Sequence, residues 1–585
     1  MLSVVNLSVV WWILAVVAGS IILLKLVQRL WSQEKLTKQS KNNWQSSLLT
    51  LLIFIISITF LLFGSKLGTF INNNLNISFV EVRPSLSATM EITQNIFAEN
   101  ILFGAGPNRF ADVWRIHKDP SINQTIFWDT QFESGFSFLL TSIIGTGILG
   151  LLAWLIFLGS LVVYGLRFIF KSRQDDRFWY FIGLSSFVSS LYFWVISLVY
   201  VPSSTILLLA SITSGVFIVS YTKLFSVPTL ILSVQKKQIH GFVLVLLAVS
   251  LVSASGYGLY AVSKQVLGIY QFSKAIQSGS VNNSLEEIEA GLIKSLNLTG
   301  NDIFARELAF LQWSKMINIL QIEGEANAEQ RQLFQTAASR GIEIGQLAID
   351  LDPTDPINHQ TLGQIYSTLA LVGIEGAKER AKESFETARQ FNPHNPTLYL
   401  LEADMELRSG DRTLARELAE KAVKVRPVHT EALFFLAQLD INDGNVERAI
   451  EIVTDTVQIE PQNPARRYQL GLLLAANNRL DDAISVLESA VVLDPQYANA
   501  RYFLALGYAE KGMVEEAIEQ LTIVRNLNES NVVVDPLIEQ LRTDGQLTNT
   551  ITTREPVTER DTESAGLTER DLENNNLTSS NPIID

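Results

Sequence analysis

The chain has 585 residues and a net charge of −14, from 45 Lys+Arg against 59 Asp+Glu, yet 48% of it is hydrophobic and its mean hydropathy is +0.22. That length exceeds a single compact core, and the absence of Cys excludes disulfides, thiolate zinc sites, iron–sulfur clusters and cysteine nucleophiles. Charge and apolarity have separate addresses: residues 1–240 hold 17 Lys+Arg and 10 Asp+Glu, a net of +7, and residues 241–585 hold 28 and 49, a net of −21. An apolar, mildly basic half joined to a polar, acidic half argues against nucleic acid as a partner.

Six apolar runs, at 4–24, 48–64, 136–160, 178–200, 203–221 and 241–262, approach the length of about 20 residues that a membrane-crossing helix needs. Basic residues in short loops orient such helices. Lys25, Arg29, Lys35, Lys38 and Lys41 lie in the first loop, Arg167, Lys171, Arg173 and Arg177 in the third, and Lys223, Lys236 and Lys237 in the fifth. These alternate loops predict six helices in a bacterial-type cell membrane with an external N-terminus. Segment 65–135 and everything after about 262 then lie outside the cytoplasm. The first run has no basic segment before Lys25, unlike a signal peptide. The chain also begins almost inside that helix, as though an earlier part were encoded elsewhere. Ionisable residues are nearly absent from the runs, which disfavours a transporter.

From about residue 340 a 34-residue period appears in Pro393, Pro427, Pro461 and Pro495, in Ala381, Ala415, Ala449, Ala483 and Ala517, and in Gly376, Gly410, Gly444, Asn478 and Gly512. Leu362-Gly363, Leu470-Gly471 and Leu506-Gly507 add the Leu-Gly pair of a first helix. This is the tetratricopeptide pattern of stacked helix pairs, which bury their apolar faces only against their neighbours. Five units span 357–529. Pro353 precedes Pro393 by 40, so the first unit carries six extra residues near Ala370–Gly376. The stretch 284–350 is expected to hold degenerate helical repeats. The tail 546–585 has no aromatic residue and duplicates Thr-Glu-Arg-Asp at 558–561 and 568–571, a composition expected to be disordered.

The external loop holds Arg83 just before a helical run, then Leu102-Phe103-Gly104-Ala105-Gly106-Pro107 and Arg109, then Trp114, Arg115, His117, Phe127, Trp128, Asp129 and Glu133. The helix that follows carries Gly147-Ile148-Leu149-Gly150. Over about residues 80–170 these strings resemble the bacterial O-antigen ligase/polymerase family. The resemblance implies a polytopic protein acting at the external membrane face on sugars carried by a lipid diphosphate. It also departs from the family: six helices stand where about ten to twelve are usual, and Phe132-Glu133-Ser134-Gly135-Phe136 lacks the usual His.

Glycan transfer needs cations against the diphosphate and a group to take the acceptor's proton. Arg83, Glu133 and Asp129 are the candidate catalytic residues, and Arg109, Arg115, Gly104 and Gly106 the candidate substrate-binding ones. His117 has the chemistry of a base but looks solvated beside Lys118 and Asp119. Trp114, Phe127 and Trp128 are expected at the membrane boundary. No metal or nucleotide motif is present, so no cofactor is expected.

The expected fold is all-α: a membrane domain (1–264), a helical linker (265–356), a tetratricopeptide solenoid (357–530) and a disordered tail (546–585). Two functions compete. One is surface-polysaccharide assembly from a lipid-linked glycan, with external repeats for partner binding. The other is a non-catalytic, membrane-anchored scaffold whose repeat groove takes a protein or peptide.

Overall fold

A computed structural model describes residues 82–171, 176–225, 238–282, 284–322, 327–527 and 533–547, Val557, and most of 11–23 and 48–64. The basic loop 25–47 and nearly all of the tail expected at 546–585 lie outside the described residues. The chain divides into two compact units, one made of Met1–Ile122 with Asp129–Ser273, the other of Asn123–Trp128 with Lys274–Asp585.

In the first unit, α1 (Thr50–Gly64) is a short apolar helix. Next come α2 (Leu86–Asn100) and α3 (Phe110–His117), then α4 (Phe138–Lys171), α5 (Arg177–Val199), α6 (Ser204–Leu224) and α7 (Gln238–Asn282). Among the described residues, four helices are long and apolar enough to cross a membrane, at Phe138–Phe170, Arg177–Val199, Ser204–Leu224 and Gly241–Gln277. They coincide with the last four expected runs. The segment α7 was expected to cross and end near 262, but its 45 residues make a helix about 67 Å long, roughly twice a bilayer's hydrocarbon core. The boundary expected at 264 thus falls inside a continuous helix.

Small polar side chains join these apolar helices. Ser190 Oγ lies 2.5 Å from Ser214 Oγ, and Trp194 Nε1 donates to Ser214 Oγ at 3.0 Å, joining α5 to α6. Phe168, Phe187 and Phe217 fill the remaining space between α4, α5 and α6.

The second unit is built from helix pairs. Three helices, α8 (Leu285–Thr299), α9 (Asp302–Leu320) and α10 (Ala328–Leu351), precede five regular pairs. The pairs are α11 (Pro356–Leu371) with α12 (Ala377–Phe391), α13 (Pro396–Arg408) with α14 (Arg412–Val425), α15 (Thr430–Asn442) with α16 (Val446–Ile459), α17 (Pro464–Ala476) with α18 (Leu480–Leu493), and α19 (Ala498–Glu510) with α20 (Val514–Leu527). A last helix, α21 (Val534–Asp544), covers the open end by burying Val534, Leu537, Ile538 and Leu541.

The period has a physical cause at each position. Ala381, Ala415, Ala449, Ala483 and Ala517 are all 0% exposed, because the two helices of a pair cross there too closely for a larger group. A Cβ on Gly471 would stand 2.7 Å from Leu487, and one on Gly363 2.7 Å from Phe385. Gly376, Gly410, Gly444 and Gly512 turn the chain between helices at φ of 74, 90, 81 and 79°, and Asn478 adopts the same left-handed conformation at 57°. The six extra residues of the first unit are shared out: compared with α13 and α14, α11 is three residues longer, the turn after it two longer and α12 one longer.

Candidate functional site

Among the described residues of the first unit, the motif strings meet through backbone. Gly147 has φ 64° and ψ −157°, which no helix tolerates, so α4 breaks there. The break removes the bonds that would join Ile148 N to Ile144 O and Leu149 N to Gly145 O. Those backbone groups need replacement partners. Segment 101–106 supplies them: Ala105 N donates to Ile144 O (2.9 Å), Gly106 N to Gly145 O (3.1 Å), Ile148 N to Ile101 O (2.9 Å) and Leu149 N to Leu102 O (3.4 Å). Side chains have no room in this seam. A Cβ on Gly104 would lie 2.2 Å from Ile144 O, and one on Gly147 2.5 Å from Leu102 O. Gly104 and Gly106, at φ 68 and 98°, therefore shape the seam, and the amides of Ala105 and Gly106 are spent on it.

Arg83 opens α2, where Ser85 Oγ caps the helix by accepting from Ala88 N at 3.1 Å. Its Nη1 donates to Phe136 O (2.8 Å) and Val199 O (2.9 Å), and its guanidinium lies over the rings of Phe136 (4.5 Å) and Tyr200 (5.3 Å). It ties the starts of α2 and α4 to the end of α5. Arg109 and Arg115 converge instead on Asp112, at 3.0 and 2.5 Å, one turn to either side of it on α3. Arg109 is 45% exposed and Arg115 only 9%, with its Nε buried and unbonded. Asp129 and Glu133 are exposed. Burial pushes the Lys118 ammonium below its ordinary pKa, against the pull of the Asp129 charge. His117 Nε2 faces Glu99 Oε1 at 3.4 Å. Trp114 is buried: it is 2% exposed, packs on Phe132 and donates to Thr130 O at 3.2 Å. Asp112, which orients both arginines, was missed by sequence reasoning, although the Arg-x-x-Asp-x-x-Arg spacing is its signature.

In the second unit the first helices of successive pairs touch, α11 with α13, α13 with α15, and α17 with α19. Leu400, Phe434 and Tyr468 occupy one position of three successive first helices, 34 residues apart, and each is only partly buried. Large apolar side chains that the core leaves partly in water form a row that a partner can cover. The extra residues of the first unit border a cleft lined by Leu371, Gly373, Ile374, Lys378 and Arg408. Neither feature is legible in the sequence, because choosing among half-buried positions requires knowing which side of each helix the next pair covers.

The geometry defines the C-terminal part of the chain as a tetratricopeptide array. A family model described as anaphase-promoting complex, cyclosome, subunit 3 matches residues 414–490, and a tetratricopeptide repeat model matches residues 468–524. No family match supports the glycan-ligase resemblance of the first unit. No curated protein matches the chain. Among the solved structures similar to it is YrrB, described as a tetratricopeptide protein with an unusual peptide-binding site, at 20% identity, 34% of this chain, 99% of that chain and a TM-score of 0.26. A tetratricopeptide repeat protein from Parabacteroides merdae is similar at 13% identity over 47% of this chain and 99% of that chain, with a TM-score of 0.31. MamA from Desulfovibrio magneticus is similar at 22% identity over 30% and 97%, with a TM-score of 0.25.

Proposed function

We propose that this protein is a membrane-held interaction scaffold whose repeat array receives a protein or peptide partner along the row of Leu400, Phe434 and Tyr468. The observation that carries this reading is the stack of five regular helix pairs, of which residues 414–524 match repeat family models, with that row left incompletely buried. The four long apolar helices supply the anchor.

In this reading the array lies outside the cytoplasm, a sidedness supported by the distribution of basic residues in the sequence. Because the chain has no Cys, single substitutions report sidedness without background. A membrane-impermeant maleimide is expected to label Ser409→Cys in intact spheroplasts and Ser40→Cys only after permeabilisation. The opposite labelling would invert the topology.

A second reading, glycan transfer at the Arg83 loop, draws support from one observation: the two glycine strings behind the resemblance to O-antigen ligase/polymerase are joined by four backbone hydrogen bonds. The readings diverge in a deletion strain. Under the scaffold reading, removing residues 357–529 reproduces the phenotype of removing the whole protein, while Arg83→Ala at normal protein level leaves it near wild type. Loss of normal surface polysaccharide in the Arg83→Ala strain, with that level intact, would favour transfer instead.

A further inference from the structure

One residue departs from the repeat pattern. The position that closes the second helix ahead of Pro is Asp352, Asn392, Glu460 or Asp494 in the other units, and Arg426 after α14. An acid there has local work: Asp352 Oδ1 accepts from Thr354 N at 3.0 Å, and Asp494 Oδ1 from Gln496 N at 2.9 Å. Guanidinium has no acceptor and cannot make that turn bond.

Arg426 engages Asn123–Trp128 instead, the six residues that cluster with the repeats. Its Nε donates to Asn123 O at 2.9 Å, its Nη1 to Val428 O at 3.0 Å, and its guanidinium lies 4.8 Å from the centre of the Trp128 ring. Asn123 is 1% exposed, and its Nδ2 donates to His394 O (2.8 Å) and Val425 O (3.2 Å). Trp128 meets His429 edge-on, with ring centroids 5.6 Å apart. Two consecutive inter-repeat turns, 392–395 and 426–429, thus hold both ends of the segment.

We propose that this ridge of inter-repeat turns is a recognition site for a short peptide presenting a carboxamide and, five residues on, an indole ring, and that Asn123–Trp128 of this chain is its resident ligand. The chemistry is selective. A carboxamide NH₂ offers one hydrogen to each of two carbonyls, whereas an Asp carboxylate at the same place would set its charge against both oxygens. Arg426 reads a main-chain carbonyl and an aromatic face at once. The ridge is separate from the row of Leu400, Phe434 and Tyr468, so this inference goes beyond the scaffold reading and does not rest on it. Because the ligand is tethered, a free peptide of the same sequence binds only when the resident segment is disengaged.

The test uses the full chain in detergent micelles and a fluorescent peptide of residues Pro120–Thr130. Asn123→Asp with Trp128→Ala empties the ridge; Arg426→Asn restores the residue type of Asn392 and so keeps the turn. Fluorescence anisotropy is expected to show the emptied chain binding the peptide at least tenfold tighter than the unsubstituted chain. Adding Arg426→Asn to the emptied chain, or Asn123→Asp to the peptide, is expected to weaken binding at least tenfold. Hydrogen exchange gives a reading within the intact protein: Arg426→Asn accelerates exchange at residues 123–128 at least tenfold and leaves the helices α13 to α16 unchanged. Equal peptide binding by emptied and unsubstituted chains, equal binding of the Asp peptide, or unchanged exchange at 123–128 would overturn the proposal.

Discussion

His429 caps α15 with a ring nitrogen: its Nδ1 accepts from Ala432 N at 3.1 Å, a bond that only the unprotonated ring can make. Burial pushes its pKa below the ordinary value, with Arg426 and Arg466 adding to that and Glu431 and Glu460 opposing it. A base whose folded pKa is depressed is protonated first in the unfolded chain. Stability is therefore full above about pH 6.5 and falls as pH drops from there toward the folded pKa. Asn395 and Asn463 cap the neighbouring first helices through Oδ1, at 2.9 and 3.0 Å, so His429→Asn keeps the cap and removes the titration. Thermal unfolding of His429→Asn is expected to lose less stability between pH 7 and 5 than that of the unsubstituted chain; equal losses would show that His429 is not the titrating group. At this scale the sequence was legible where a residue type has one cause, as in the row of crossing alanines. It was not legible at Arg426, where the departure from acid or amide is plain in the sequence but gains meaning only from a segment about 300 positions away.

Between elements, charge follows the repeat as well. Lys378 and Lys382 of α12 meet Glu406 of α13 at 2.7 and 2.6 Å, and 34 residues on, Arg416 of α14 meets Asp440 of α15 at 2.9 Å. Both carboxylates are essentially unexposed, whereas the two lysines are a third exposed or more. The consequences of losing each side are therefore unequal. Glu406→Gln leaves lysines that can turn to water and costs about 1–2 kcal/mol, while Lys378→Ala with Lys382→Ala strands a buried carboxylate and costs about 3–5 kcal/mol. Urea unfolding followed by tryptophan fluorescence checks the order; an equal or reversed cost would mean that Glu406 is not held by these bases. The helix pairs themselves were readable from periodicity, because buried side chains repeat where the geometry repeats. The seam between segment 101–106 and α4 was not. Its glycines are visible, but the partners they approach are backbone groups, and backbone carries no residue code.

Across the whole molecule, composition already separated an apolar basic half from a polar acidic one, and the described helices keep that division: the four long apolar helices end by Gln277, and the regular pairs begin at Pro356. What composition could not supply is a function for the first half, whose candidate residues are dispersed. Arg83 staples helix ends, Arg109 and Arg115 share Asp112, Asp129 acts on Lys118, and both Asp129 and Glu133 are exposed. The array is where geometry and family matches agree, and the proposed partner binding resides there. Photo-crosslinking tests it most directly. A benzophenone amino acid is placed singly at Phe434, Tyr468 or Asp455, the last an exposed residue of the second helix α16, and irradiated in cells that make the protein at its native level. The scaffold reading predicts the same discrete crosslinked protein from Phe434 and Tyr468 and none from Asp455. Crosslinking of that protein from Asp455 as strongly as from the row, or no product from either row position, would contradict it.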